Sequence, residues 1–166
     1  VEVAVAPAGL PVDAQLEADG KRWRFFTRDG KFLVWTDDVA GPPVELEIAY
    51  TFGWSPLQQY LVPLPGGRLQ CLSVAWDVPN RRWFSLYPGQ VVAPEDWLHW
   101  TRPAMSWNAM CSQCHSTGVR KGFDPEGDRY ETTWERSDSP PAPPSPKIIS
   151  FPSGGRLSGG APRSAP

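Results

Sequence analysis

The sequence predicts a mainly β fold with a small α part: an antiparallel β meander or sandwich-like region, then a short helical segment and a disordered tail. Three observations predict it. Aromatic and β-branched runs separated by Gly, Pro and Asp turn signals fill residues 21–88. The hydrophobic period becomes helical after residue 93. After residue 135 the chain consists mainly of Ser, Pro, Gly, Ala and Arg.

These changes divide the chain into four parts. Residues 1–20 are rich in Ala and Pro, which predicts a linker or an edge segment. Residues 21–92 form the antiparallel β region, and residues 93–135 contain the helical segment. Residues 136–166 have too little apolar surface to offset the entropy of ordering, so we expect them to be disordered.

The first strands of the β region are the clearest. Residues 23–27 and 31–36 flank Asp29 and Gly30, and an Asp-Gly pair between such runs favours a two-residue hairpin turn. Residues 44–50 alternate between apolar and polar side chains, as a strand with one exposed face does.

Three more strands are predicted at residues 59–62, 69–76 and 82–87, with a tight turn at Pro65-Gly66-Gly67. Beyond the sheet, residues 94–100 suit a first helical turn, because proline and acidic residues lie near its start. Residues 104–115 are the best helix, and residues 130–134 predict one short strand.

The helix carries the most informative motif, Cys111 and Cys114 followed directly by His115. This spacing is typical of a c-type haem attachment site. Residues three apart on a helix face the same side, so both thiols can reach one edge of a porphyrin and become thioethers. The next residue, His115, can then bind the haem iron as the proximal axial ligand.

Other readings of the motif stay open at this point. Cys111 and Cys114 also suit a disulfide loop, or a zinc site that includes one histidine, in a β binding module without haem. His99 is the other histidine of the chain, which makes it the candidate distal ligand or a half-buried histidine in an aromatic cluster. Met110 and Cys71 are expected to pack in the core.

Charge and hydropathy exclude several classes of partner. The net charge is −2 with no basic block, so we expect no nucleic acid partner. No apolar run reaches the roughly 18–20 residues of a membrane span. The first residues lack a basic region and an initiator Met, which predicts no signal peptide in this chain. Thioether attachment of haem nevertheless implies a periplasmic or exported location.

Several stretches together resemble the multihaem c-type cytochromes of the cytochrome c-552/c-554 type, which are related to nitrite reductase and hydroxylamine oxidoreductase families. The longest is Pro56-Leu57-Gln58-Gln59-Tyr60-Leu61-Val62. The others are residues 24–26, 29–32, 50–53, 65–70, 75–77, 82–84, 86–88, 98–101, 107–108 and 110–117. The resemblance covers about residues 21–135, in order.

The resemblance implies an electron-transfer module with covalent haem c, whose partners are redox proteins or further haem domains of the same protein. As an enzyme, it would be a haem oxidoreductase acting on small nitrogen compounds. The family pattern has a haem motif upstream of the β region and another after residue 134, and this chain has neither. We therefore expect a fragment, with residues from about 136 onward read from a shifted frame.

Overall fold

The computed structural model describes residues 13–53 and 55–135. These residues form antiparallel sheets and a short helical segment, so the predicted mainly β fold class is confirmed. The predicted disordered, possibly frame-shifted tail at 136–166 lies outside the described residues, as do residues 1–12 of the predicted linker. In the described part, no helix is long and apolar enough to span a membrane.

The first sheet is a four-stranded antiparallel meander. Its strands, in chain order and in spatial order, are β1 (Ala14–Ala18), β2 (Lys21–Arg28), β3 (Lys31–Thr36) and β4 (Val44–Glu47). Asp29 and Gly30 connect β2 to β3 with φ angles of 53° and 74°, the left-handed conformation that an Asp-Gly hairpin turn requires. β1 is an edge strand within the segment predicted as a linker or edge.

The second sheet has five strands. They are β5 (Tyr50–Phe52), β6 (Leu57–Leu64), β7 (Arg68–Cys71), β8 (Val74–Asp77) and β9 (Arg82–Ser85). The order is β5-β6-β8-β9, and β7 pairs with the far end of β6. Gly66 and Gly67, with φ of 73° and 66°, form the predicted turn between β6 and β7.

Two predicted strands are each divided in two by tertiary structure. The strand predicted at 44–50 breaks after Glu47, because the backbone N–H of Ile48 donates to Phe32 in the first sheet while that of Ala49 donates to Leu61 in the second. The chain crosses between the sheets at this point. The strand predicted at 69–76 becomes β7 and β8, which pair with different ends of β6.

Side chains from both sheets form one hydrophobic core. Phe25 of β2 stacks on Trp83 of β9 with ring centroids 3.6 Å apart, and Tyr60 of β6 lies against both rings. Phe25 and Tyr60 are fully buried. The aromatic side chains of the β region therefore serve mainly as core packing.

The chain beyond β9 is less regular than the sequence predicts. Residues 94–102 form successive four-residue turns instead of a helical turn, with hydrogen bonds between residues three apart such as His99 N–H to Asp96 and Arg102 N–H to His99. The predicted 104–115 helix is interrupted at Ser106, which is extended (ψ 120°). Its parts are a 3-10 turn (Pro103–Met105), a π-helical segment (Trp107–Cys111) and α1 (Ser112–His115).

Two small hairpin sheets follow α1. β10 (Thr117–Arg120) pairs with β13 (Thr133–Glu135), and β11 (Phe123–Asp124) pairs with β12 (Arg129–Tyr130). The single strand predicted at 130–134 is therefore wrong, because its two ends belong to different pairings.

Candidate functional site

The cysteine-histidine motif lies at the junction of two helical types. Cys111 ends the π-helical segment, in which the backbone N–H of Ser112 donates to Trp107, five residues earlier. Cys114 and His115 belong to α1. Short π-helical insertions are frequent at functional sites. Cys111 and His115 are half-buried and Cys114 is exposed, so the motif lies at the surface with one side against the protein body.

Asn108 anchors the segment that carries the motif. Its side chain is almost fully buried, and its Oδ1 accepts the backbone N–H of Leu69 at 2.7 Å. Its Nδ2 donates to the carbonyl of Gly67 and to Thr132 Oγ1, at 3.2 and 2.9 Å. The π-helical segment is thus held on the β6–β7 turn from one side and on the chain before β13 from the other.

The three cysteines differ in accessibility, and all are free thiols. Burial raises the pKa of Cys111, and the nearby Cys114 raises it further. Cys71 is buried, as expected, and accepts a hydrogen bond from Gln59 Nε2 at 3.2 Å. Burial also raises the pKa of Cys71, with a smaller contribution from Cys111. The motif thiols are therefore the accessible pair.

The imidazole of His115 packs against aromatic rings. Its centroid lies 5.3 Å from that of Phe52 in an edge-to-face arrangement, and 6.3 Å from that of Trp107. None of residues 13–53 and 55–135 forms a hydrogen bond with either of its ring nitrogens. Two neighbouring polar atoms, Trp107 Nε1 and Ser116 Oγ, are buried and also lack partners within this part of the chain.

His99 has the opposite environment. It is 1% exposed, and its Nδ1 accepts the backbone N–H of Thr101 at 3.3 Å while lying 2.8 Å from the Thr101 hydroxyl. Nε2 therefore carries the proton and donates to Asp38 Oδ1 at 3.1 Å. Both nitrogens are engaged, so neither is available to an iron in this conformation. The role of His99 as a distal ligand stays a prediction.

The methionines also differ from one another. Met105 is buried, and its sulfur accepts a hydrogen bond from the Tyr87 hydroxyl at 3.5 Å. Met110, beside Cys111, is 55% exposed. The expectation that Met110 packs in the core is therefore wrong: its side chain points outward from the π-helical segment.

The residues of the motif have the donor atoms that covalent haem requires. In the described residues, no three His, Cys, Asp or Glu side chains come together as a metal-binding group. Covalent haem needs only two accessible thiols and one free imidazole nitrogen, and Cys111, Cys114 and His115 provide these. Sequence reasoning missed Phe52 and Asn108, because neither lies in the motif and only tertiary structure brings them to it.

Comparison of the chain with protein-family models, curated proteins and solved structures finds no match.

Proposed function

We propose that the chain is an electron-transfer module of a c-type cytochrome, with haem c attached at Cys111 and Cys114 and His115 as the axial ligand. The observation that carries the proposal is the contrast between the two histidines. His115 follows the thiol pair and has no hydrogen-bond partner in the described residues, whereas both nitrogens of His99 are engaged.

The chemistry of attachment uses the two thiols directly. Each S–H would add across one vinyl group of the porphyrin, which would form a C–S bond and a C–H bond with no leaving group. Bound haem supplies a one-electron iron couple. Cys111 and Cys114 would hold the group through their sulfurs, and His115, whose imidazole packs against Phe52 and Trp107, would bind its iron.

The rest of the proposal follows from the resemblance to multihaem cytochromes. We infer that electrons pass to redox partner proteins or to further haem domains of the same protein. The protein would work in the periplasm or another exported compartment, where haem c is attached. A zinc- or disulfide-stabilised β module without haem is the alternative.

The test is production of the full chain in a host that carries the haem-attachment machinery. We expect a Soret absorption band that remains with the protein after acid-acetone extraction. Cys111→Ala and Cys114→Ala should each weaken or abolish attachment, and Cys71→Ala is the matched control that should retain it. A colourless protein that holds stoichiometric zinc would contradict the proposal, as would normal covalent haem in both motif variants.

A further inference from the structure

We propose that Phe52 and Trp107 are positioning residues: they fix the His115 imidazole by aromatic packing in place of a hydrogen bond, and thereby raise the reduction potential of the attached haem. The part that concerns haem rests on the function proposed above. The part that concerns the imidazole rests on the packing around it alone.

The two rings contact the imidazole from different directions. The Phe52 ring is inclined at 66° to the imidazole plane, and the Trp107 ring at 37°. Phe52 and Trp107 also contact each other, with centroids 5.0 Å apart. Rotation of the imidazole about its side-chain bonds would bring it into one ring or the other, so the pair restricts it to a narrow range of orientations.

The pair is itself rigid. Trp107 is fully buried and Phe52 is 3% exposed. Trp134 packs edge-on against Trp107 at 6.1 Å, and Tyr50 packs against Trp134 at 5.6 Å. The hydrogen bonds of Asn108 hold the backbone next to Trp107. The rings of Phe52 and Trp107 therefore form a fixed aromatic wall beside the His115 imidazole.

The polar environment of the imidazole is what gives the packing a functional consequence. A metal-bound histidine usually donates its second ring N–H to a carbonyl or carboxylate, which orients the ring and makes the ligand more basic. In the described part of the chain His115 has no such acceptor. Within the same residues the buried indole N–H of Trp107 has no acceptor either.

A less basic axial imidazole stabilises ferric iron less, so the potential is higher than with a hydrogen-bonded imidazole. Removing the Trp107 ring would expose the half-buried imidazole further to water, which can accept a hydrogen bond from its second nitrogen. Trp107→Leu should therefore lower the potential. Trp107→Phe keeps an aromatic face and should preserve it.

The first experiment uses the full chain without haem, so that it does not depend on attachment. Selective isotopic labelling of histidine gives NMR signals for His115 and His99 only. We expect ring-current shifts of the His115 ring protons that change in Trp107→Leu and in Phe52→Leu, because each variant removes one of the two contributing rings. Trp97→Leu, at a 61% exposed position, is the matched control and should change neither histidine. Unchanged His115 shifts in both core variants would overturn the packing.

The second experiment uses haem-loaded chain. Potentiometric titration should give a lower potential for Trp107→Leu than for the parent chain, and electron paramagnetic resonance should show altered g values, with both restored in Trp107→Phe. Should Trp107→Leu not fold, Phe52→Leu takes its place. Attached haem with parental potential and g values in these variants would overturn the inference. Failure of the parent chain to attach haem would instead overturn the proposed function.

Discussion

Replacement of His99 by alanine should destabilise the chain strongly and leave the spectrum of attached haem unchanged. The imidazole is 1% exposed and donates to the Asp38 carboxylate at 3.1 Å. Its removal leaves a buried carboxylate without this donor, and the cationic neighbour Lys21 is 3.9 Å away. A buried group left without its hydrogen-bond partner costs about 1–3 kcal/mol, and a charged group such as this carboxylate costs more.

The contributions of the separate contacts agree with this magnitude. A hydrogen bond to a charged acceptor contributes about 1.5–3 kcal/mol. The part-buried backbone N–H and hydroxyl of Thr101 lose their acceptor at the same time, and each group left unsatisfied costs at most about 1–3 kcal/mol. The backbone carbonyl of Asp38 keeps its bond from Trp100 Nε1 at 2.6 Å, so the loss is confined to the imidazole.

Urea unfolding followed by tryptophan fluorescence measures this loss. Leu98→Ala is the matched control, because Leu98 is the adjacent residue and is 57% exposed. We expect the control to stay within about 0.5 kcal/mol of the parent chain. A His99→Ala variant that keeps the parental free energy of unfolding, but whose haem changes from low to high spin, would refute the structural role and make His99 an axial ligand.

Three other predictions concern single side chains. Asn108→Ala should lower the free energy of unfolding by about 1–3 kcal/mol, because the part-buried backbone N–H of Leu69 loses its acceptor. Parental stability would remove Asn108 as the anchor of the motif. In reduced chain without haem, a thiol reagent at pH 8 should modify Cys114 before Cys111, since burial raises the pKa of Cys111; equal rates would contradict this difference in burial. Hydrogen bonds from Asn80 lower the pKa of Asp77 in the folded chain. The stability that this carboxylate contributes is therefore present above the unfolded pKa of 3.8 and is lost as the pH falls below that value. Asp77→Asn should weaken the dependence of the urea midpoint on acid pH, and an unchanged dependence would show that this carboxylate does not contribute.

Local chemistry was enough to predict the features that depend on a few consecutive residues. The hairpin turn at Asp29 and Gly30 follows from the positive φ that both positions need. The helical placement of Cys111 to His115 follows from the change of period and from the spacing of the motif.

The features that sequence reasoning missed depend on residues far apart in the chain. The alternating pattern of residues 44–50 does not show that the chain changes sheets at Ile48, because each half pairs with a different distant strand. The engagement of His99 depends on Asp38, which no local signal connects to it. The wall around His115 depends on Phe52, which looks like any core aromatic residue of a strand.

Covalent attachment of haem at the motif is tested most directly by the intact mass of folded protein from a host competent in haem attachment. We expect an increase of one haem mass with no atoms lost, located by proteolysis on the peptide that contains Cys111, Cys114 and His115. Folded protein from such a host that has only the mass of the bare polypeptide would rule out this attachment.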